Sequence, residues 1–409
     1  LPSIKESDRF VDGAFALAFA GLAWLVVFGH RGVAPCVGLM AVAAASRPRF
    51  WRIGIAPRRT SMRIAAAVSA LFILWTAASG LWSPTPGALW LAATLTVGVL
   101  AGVALAHEAS TAAPRRVRRL AAFFASAVTT AAAALLFEAL TGGYLRDVVP
   151  PRDSSPARWR DLTSLARGAT ALVPLAFPAA VMIRRLTGSI VLGFVPLLAL
   201  FAASAQFSVF ANVVALAAGA FAYAAALAAP RTALRIVLLS FVAAALATPL
   251  AAAALPAEAL TADGLAPPSW AQRLFIWREA ASRALGACFP LGCGADYARA
   301  WAAFAAPIEI PGAPGPLPSM PIHPHNVFIQ ITLELGLPGI AAFTAASAAA
   351  AAAVGRAPLT REAAAAIAGA LAATFISVMF EASLWQVWRL AVVTLAALGA
   401  AVAYRLNNS

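Results

Sequence analysis

The 409-residue chain reads as an all-α, polytopic membrane protein with about 12 transmembrane helices and a large periplasmic loop containing amphipathic helices. Three observations carry that reading. Hydrophobic residues make up 62% of the chain against 11% charged, with a mean hydropathy of +0.83, too apolar for a soluble protein of this size. The apolar residues come in blocks close to the length that crosses a bilayer as a helix, about 20 residues. Between alternate blocks lie clusters of arginine, the pattern that fixes orientation in a membrane.

In order, the blocks cover residues 11–29, 33–46, 64–82, 88–106, 119–140, 168–183, 187–206, 209–229, 235–255, 327–354, 363–382 and 385–404. The first, preceded by Lys5 and Arg9, reads as a retained span rather than a signal peptide, because many more spans follow. An even number of crossings puts both termini on one side. With the N-terminus in the cytoplasm, the six arginines from Arg47 to Arg63, the run Arg115, Arg116, Arg118 and Arg119, the pair Arg184 and Arg185, then Arg231, Arg235, Arg356 and Arg361 all face that side. The chain then divides into an N-terminal bundle over 1–255, a periplasmic loop with the chemistry-bearing motif over 256–325, and a C-terminal bundle over 326–409. The formal charge of +14 is therefore mostly orientation signal and does not call for a nucleic-acid partner. Alanine runs such as Ala348 to Ala353 read as helix-packing filler.

Two long polar connections, Thr141 to Arg167 and Pro256 to His323, remain on the periplasmic side and are the expected seat of function. The first holds Arg146, Arg152, Arg158, Arg160 and Arg167, and the second Arg273, Arg278, Arg283 and Arg299. Most are expected to be solvated and paired with Asp147, Asp153, Asp161 or Glu279. Arg167, at the mouth of a span, and Arg273, opening the stripe Trp270, Leu274, Trp277, Ala281, Leu285, stand apart. That stripe has helical spacing and reads as an amphipathic helix on the outer membrane surface. Arginine at such a boundary suits bidentate phosphate binding.

His323-Pro324-His325-Asn326 sits where the second connection meets the block at 327–354, which places titratable side chains at a water–lipid boundary. Pro324 can precede or open a helix but not continue one. His325 then lies near a helix start, where free backbone N–H groups lower an imidazole pKa and leave a neutral ring able to accept a proton. Asn326, Gln330 and Glu334 recur every four residues, so they share a face directed into the protein or a wet cavity. Gly336-Leu337-Pro338-Gly339 marks a kink or a close helix contact.

No Gly-rich phosphate loop, H-E-x-x-H or G-x-S-x-G is present, so ATP-driven transport, zinc proteolysis and serine hydrolysis lack their signatures. Cys36, Cys288 and Cys293 form no zinc-type cluster. Chemistry on a lipid-linked anion remains. A histidine base with arginines holding a pyrophosphate suffices for displacement of that pyrophosphate by a sugar hydroxyl, with neither metal nor cofactor demanded. Transport of such a lipid is the alternative of another class. It would want charges deep in several spans, where only Glu138, Glu334 and Glu381 are found.

Arg273-Leu274-Phe275-Ile276-Trp277, Phe289-Pro290-Leu291-Gly292-Cys293-Gly294, His323-Pro324-His325-Asn326 and Gly336-Leu337-Pro338-Gly339 together resemble the O-antigen ligase and polymerase superfamily. The spacing from His325-Asn326 to Gly336-x-x-Gly339 is similar to the ligases in particular, and Leu81-Trp82-Ser83-Pro84 also resembles the family. The resemblance implies a metal-independent, inverting glycosyltransferase of the bacterial inner membrane. It would take O-antigen polysaccharide from undecaprenyl pyrophosphate at the periplasmic face and place it on lipid A–core oligosaccharide. A polymerase or a protein O-oligosaccharyltransferase would use the same donor. Carried over, His325 is the base and Arg167 and Arg273 bind the diphosphate, with His323, Asn326, Arg278 and Arg160 as supporting candidates. One departure stands out: the Ser-Arg pair often found between the seventh and eighth spans is here Gln206-Phe207-Ser208-Val209-Phe210. Cys288 and Cys293 are near enough in sequence for a disulfide, but family members usually carry a plain apolar residue at the second position, which favours a packed thiol.

Overall fold

A computed structural model describes residues 4–47, 50, 60–149, 158–261, 267–310, 313, 315–354, 358–381 and 383–408. The chain is an all-α bundle. Its long helices are α1 (Ile4–Phe28), α2 (Val33–Ala45), α3 (Thr60–Ala78), α4 (Ala88–Thr111), α5 (Pro114–Thr141), and, after the short α6 (Tyr144–Val148), α7 (Arg158–Thr187), α8 (Ile190–Gln206), α9 (Phe210–Ala228) and α10 (Pro230–Ala253). The loop that follows holds α11 (Ala257–Thr261), α12 (Pro268–Leu285), α13 (Tyr297–Ala302) and a small antiparallel ladder pairing Pro307 with Pro318. Three helices close the chain: α14 (Val327–Val354), α15 (Arg361–Phe380) and α16 (Val387–Asn407).

Every expected block is helical, though two of the helices are short. Among the described residues, ten helices are long and apolar enough to cross a membrane by length and composition. The other two, α2 with 13 residues and α8 with 17, rise only about 20–25 Å against a hydrocarbon core of about 30 Å. Both still connect opposite ends of the bundle. His30, just before α2, meets Trp388 edge to face with ring centroids 4.9 Å apart, while Arg47, just after it, pairs with Glu108 at 3.4 Å. At that second end Arg116 joins Glu108 and Asp12, and Arg405 donates to the Ala112 carbonyl, so the first and last helices share an end.

Helix packing follows from small residues. Gly219 of α9 and Gly369 of α15 face each other so closely that a Cβ on either would strike the Phe177 ring of α7 and the facing carbonyl. That permits the close backbone approach of helices that have no solvent-driven collapse inside a bilayer. Phe177 itself is fully buried.

The loop is tied to the bundle through a break in α14. Gly336 has φ 61° and ψ −154°, outside helical space, and Pro338 supplies no N–H. The Leu333 and Glu334 carbonyls therefore lose their helical donors and accept instead from Cys293 N–H (2.8 Å) and Gly294 N–H (2.9 Å), while Leu337 N–H donates to Pro290 (2.8 Å). Trp75 Nε1 fills the Leu335 carbonyl at 2.8 Å. Trp82 donates to Gly292, Ser83 and Thr85 donate to Ala295, and Ser79 accepts from the Ala295 N–H, all within 3.1 Å. Three of the sequence motifs, Leu81–Pro84, Phe289–Gly294 and Gly336–Gly339, thus meet at one joint.

Asn326, Gln330 and Glu334 share a face, as their spacing requires, and all are fully buried in protein. Glu334 accepts from Asp296 N–H (2.9 Å), Gln330 Nε2 (3.2 Å) and Trp385 Nε1 (2.5 Å), and the Gln330 carbonyl oxygen accepts from Leu384 N–H. This carboxylate is a cross-brace rather than a cavity wall.

One further expectation, that of the cysteines, changes. The helix carrying Trp270 and Trp277 has a side that faces protein. It packs on α10 and α14 through Ala271, Ile276, Ala280, Ala281 and Ala284, which are buried, because small residues admit closer packing than the tryptophans beside them. Cys288 and Cys293 are joined in a disulfide, closing the turn after α12, and are not packed thiols.

Candidate active site

A cavity of about 370 Å³ opens at the end of the bundle that carries the long loop, between the start of α7, the 207–211 connection, α12, the His323–His325 turn and the α15–α16 junction. Arg167, Arg273 and Arg389 line it with Glu381, Gln386, His323 and His325. Three cations face one carboxylate, and both histidines are neutral at pH 7, so the cavity carries a net charge of about +2.

Each arginine is held differently. Arg167, one helical turn above the buried Thr170, has no hydrogen-bond or ion-pair partner among the described residues and is exposed toward the opening. Arg273 lies over the Trp270 ring, 5.2 Å from its centroid, with Glu381 at a loose 3.8 Å. Arg389 is the most constrained: Nε donates to Gln386 Oε1 (2.6 Å), Nη1 to Ser377 Oγ (2.8 Å) and Nη2 to the Glu381 carbonyl (3.0 Å). These bonds leave two of its five N–H donors for a ligand.

The histidines differ as well. His323 is only 6% exposed; its Nδ1 accepts from the His325 N–H (3.2 Å), and its Nε2 lies 3.4 Å from Gln386 Nε2. Burial first, then the charges of His325, Arg389, Arg167 and Arg299, push its pKa down to about 2. His325 is half-buried, and neither ring nitrogen has a hydrogen-bond partner among the described residues. Burial first, then Arg273, Arg389 and Arg167, lower its pKa to about 4. The ring is therefore neutral with a free lone pair in the cavity, and its neighbouring arginines contribute to that neutrality alongside the expected helix start.

The structure brings together His325, His323, Arg167 and Arg273 and separates the other candidates. Asn326 caps α14, its Oδ1 accepting from Phe328 N–H (3.0 Å) and Ile329 N–H (3.1 Å). Arg278 pairs with Glu258 and lines a different cavity. The Arg160 side chain lies outside the described residues. Sequence reasoning missed Arg389 and Gln386. A charged residue inside the 385–404 apolar block was the available signal, since such residues default to function. Only carboxylates had been weighed there.

Residues 162–344 match the family model described as O-antigen ligase. Over this region the chain is similar to the O-antigen ligase family. No curated protein matches the chain. The matched region includes Arg167, Arg273, His323 and His325 and ends just beyond the break at Gly336, whereas Glu381, Gln386 and Arg389 lie outside it. Where the family often carries a Ser-Arg pair, the 207–210 connection reaches this cavity without a cation, and the third guanidinium comes from α16.

Proposed function

We propose that this chain is a glycosyltransferase of the bacterial inner membrane that moves O-antigen polysaccharide from undecaprenyl diphosphate to lipid A–core oligosaccharide on the periplasmic side. The observation that carries this reading is the cavity itself, in which about two net positive charges stand beside a neutral, unpartnered imidazole. A glycosyl diphosphate diester carries two negative charges, so Arg167, Arg273 and the free N–H groups of Arg389 match it in sign and number. Arginine's planar fork fits phosphate oxygens edge-on.

In the reaction, His325 takes the proton of the acceptor hydroxyl as its oxygen attacks the anomeric carbon. The bond from that carbon to the diphosphate oxygen breaks, and undecaprenyl diphosphate leaves with the electron pair. The arginines stabilise the charge that grows on the leaving oxygen, where preorganised donors are worth most. Attack opposite the leaving group inverts the anomeric centre. His323, whose Nδ1 lone pair is taken by the His325 N–H and whose Nε2 lies beside Gln386, orients the turn that presents His325 and is a poorer base.

The test is transfer by the purified, full-length chain from lipid-linked O-antigen to lipid A–core, together with lipopolysaccharide ladders from a deletion strain. Long chains accumulating on the undecaprenyl carrier are expected. Accumulation of single repeats would make the chain a polymerase instead, and unchanged ladders would overturn the transfer reading.

A further inference from the structure

A second cavity of about 370 Å³ lies in the loop on the far side of α12, lined by Phe275, Arg278, Glu279, Arg283, Trp301 and Phe304 among others. At about 3.6 residues per turn, Phe275, Glu279 and Arg283 fall on the face opposite Trp270, Arg273 and Trp277. One helix therefore separates this cavity from the one with His325, a thickness of about 10–12 Å.

Its lining has a particular chemistry. The Arg283 guanidinium lies 4.2 Å from the Trp301 ring centroid and donates to the Tyr297 hydroxyl at 2.8 Å. Arg278 lies 5.6 Å from the Phe275 centroid and pairs with Glu258. Both guanidinium groups thus sit within cation–π reach of aromatic rings and keep N–H donors for polar partners. Phe304 is 65% exposed and has no ring partner among the described residues, while Glu279 is exposed beside it in the same lining. Two arginines are balanced by Glu279 and by the Glu258 paired to one of them, so the wall offers donors and acceptors without a large net charge.

That combination selects against a bare anion, which would want the unopposed charge of the first cavity. It also selects against an apolar ligand. A pyranose has an apolar C–H face for a free aromatic ring and vicinal hydroxyls that both donate and accept, which a guanidinium edge and a carboxylate answer in pairs. We infer that the Phe275–Phe304 cavity is a saccharide-binding site that holds sugar units a few residues away from the reacting one. The inference rests on the transfer reading for the presence of a glycan and adds where that glycan is gripped. Donor polysaccharide and acceptor core share this chemistry, and the experiment separates them.

Isothermal titration calorimetry on the full-length chain in detergent would use two soluble probes: core oligosaccharide released from lipid A by mild acid, and O-polysaccharide released from its carrier. The wild type should bind one of them, which identifies the source. Phe304→Ala and Glu279→Gln, both at exposed positions, should weaken that binding tenfold or more, whereas folded His325→Asn should bind as the wild type does. No binding of either probe, wild-type affinity in both variants, or loss of binding in folded His325→Asn would overturn the assignment. Failure of the transfer reading shows separately, as no transfer by the wild-type protein, and leaves the calorimetry interpretable.

Discussion

His325 holds a left-handed backbone, φ 57°, directly before the cap of α14. Such a conformation costs a non-glycine residue about 1–2 kcal/mol, and asparagine tolerates it better than alanine. His325→Asn is therefore the variant that separates chemistry from folding. It should fold normally and lose roughly 10²–10⁴ in kcat, while His323→Ala should lose less. Wild-type transfer by a folded His325→Asn protein would refute the base assignment. The acid limb of kcat/KM should fall near pH 4 rather than 6.5, since the free enzyme's His325 has its pKa lowered to about 4 by burial and by the arginines. The sign is the same for folding. Between those values the unfolded chain takes up the proton and the folded one does not, so this residue's contribution to stability falls as pH drops from 6.5 toward 4. Arg167→Ala and Arg273→Ala should each weaken donor binding, with lysine restoring it only partly because it lacks the fork. Unchanged donor affinity in both alanine variants would remove them from the site.

At the scale of elements, the break in α14 and the turn at Gly292 are one object. Gly292 (φ 82°) and Gly336 (φ 61°) touch backbone to backbone, and a Cβ on either would meet main-chain atoms that cannot swing away. Gly336→Ala is expected to destabilise the loop–helix joint by a few kcal/mol, about 1–3 from the backbone conformation alone. It should also raise hydrogen exchange at Cys293 and Gly294, and protection equal to the wild type would show that the joint is not where the loop is held. Cys288–Cys293 lies in the same turn, so mass spectrometry of alkylated, unreduced protein should recover a linked peptide. Much of this was legible in the chain. Period and block length located the helices, and Pro324 and the glycines located the turns. What the chain hid was partnership across long separations. Trp385 reaching Glu334 and Gln386 reaching His323 depend on how α14, α15 and α16 pack, and no local pattern encodes that. For the helix of Trp270 and Trp277 the spacing likewise gives an apolar stripe but not which neighbour packs beside it.

Across the whole molecule, charge is sorted by end. Arg47, Arg116 and Arg119 are met by Asp12 and Glu108 at one end, whereas at the other Arg167, Arg273 and Arg389 face Glu381 alone. An arginine-held donor needs no added cation, so transfer should survive EDTA; loss of activity that magnesium restores would sink that account. The shortness of α8 has a separate consequence, because its last residue adjoins the connection that forms one rim of the cavity. A helix of 17 residues cannot span an average bilayer without drawing the lipid surface inward. The membrane should therefore be locally thin beside the arginines, and a polyprenyl headgroup would arrive at their depth without leaving its leaflet. Reconstituted into phosphatidylcholine vesicles of increasing acyl length, the protein should turn over fastest in the thinner bilayers and slow as thickness grows, with KM for the lipid-linked donor rising first.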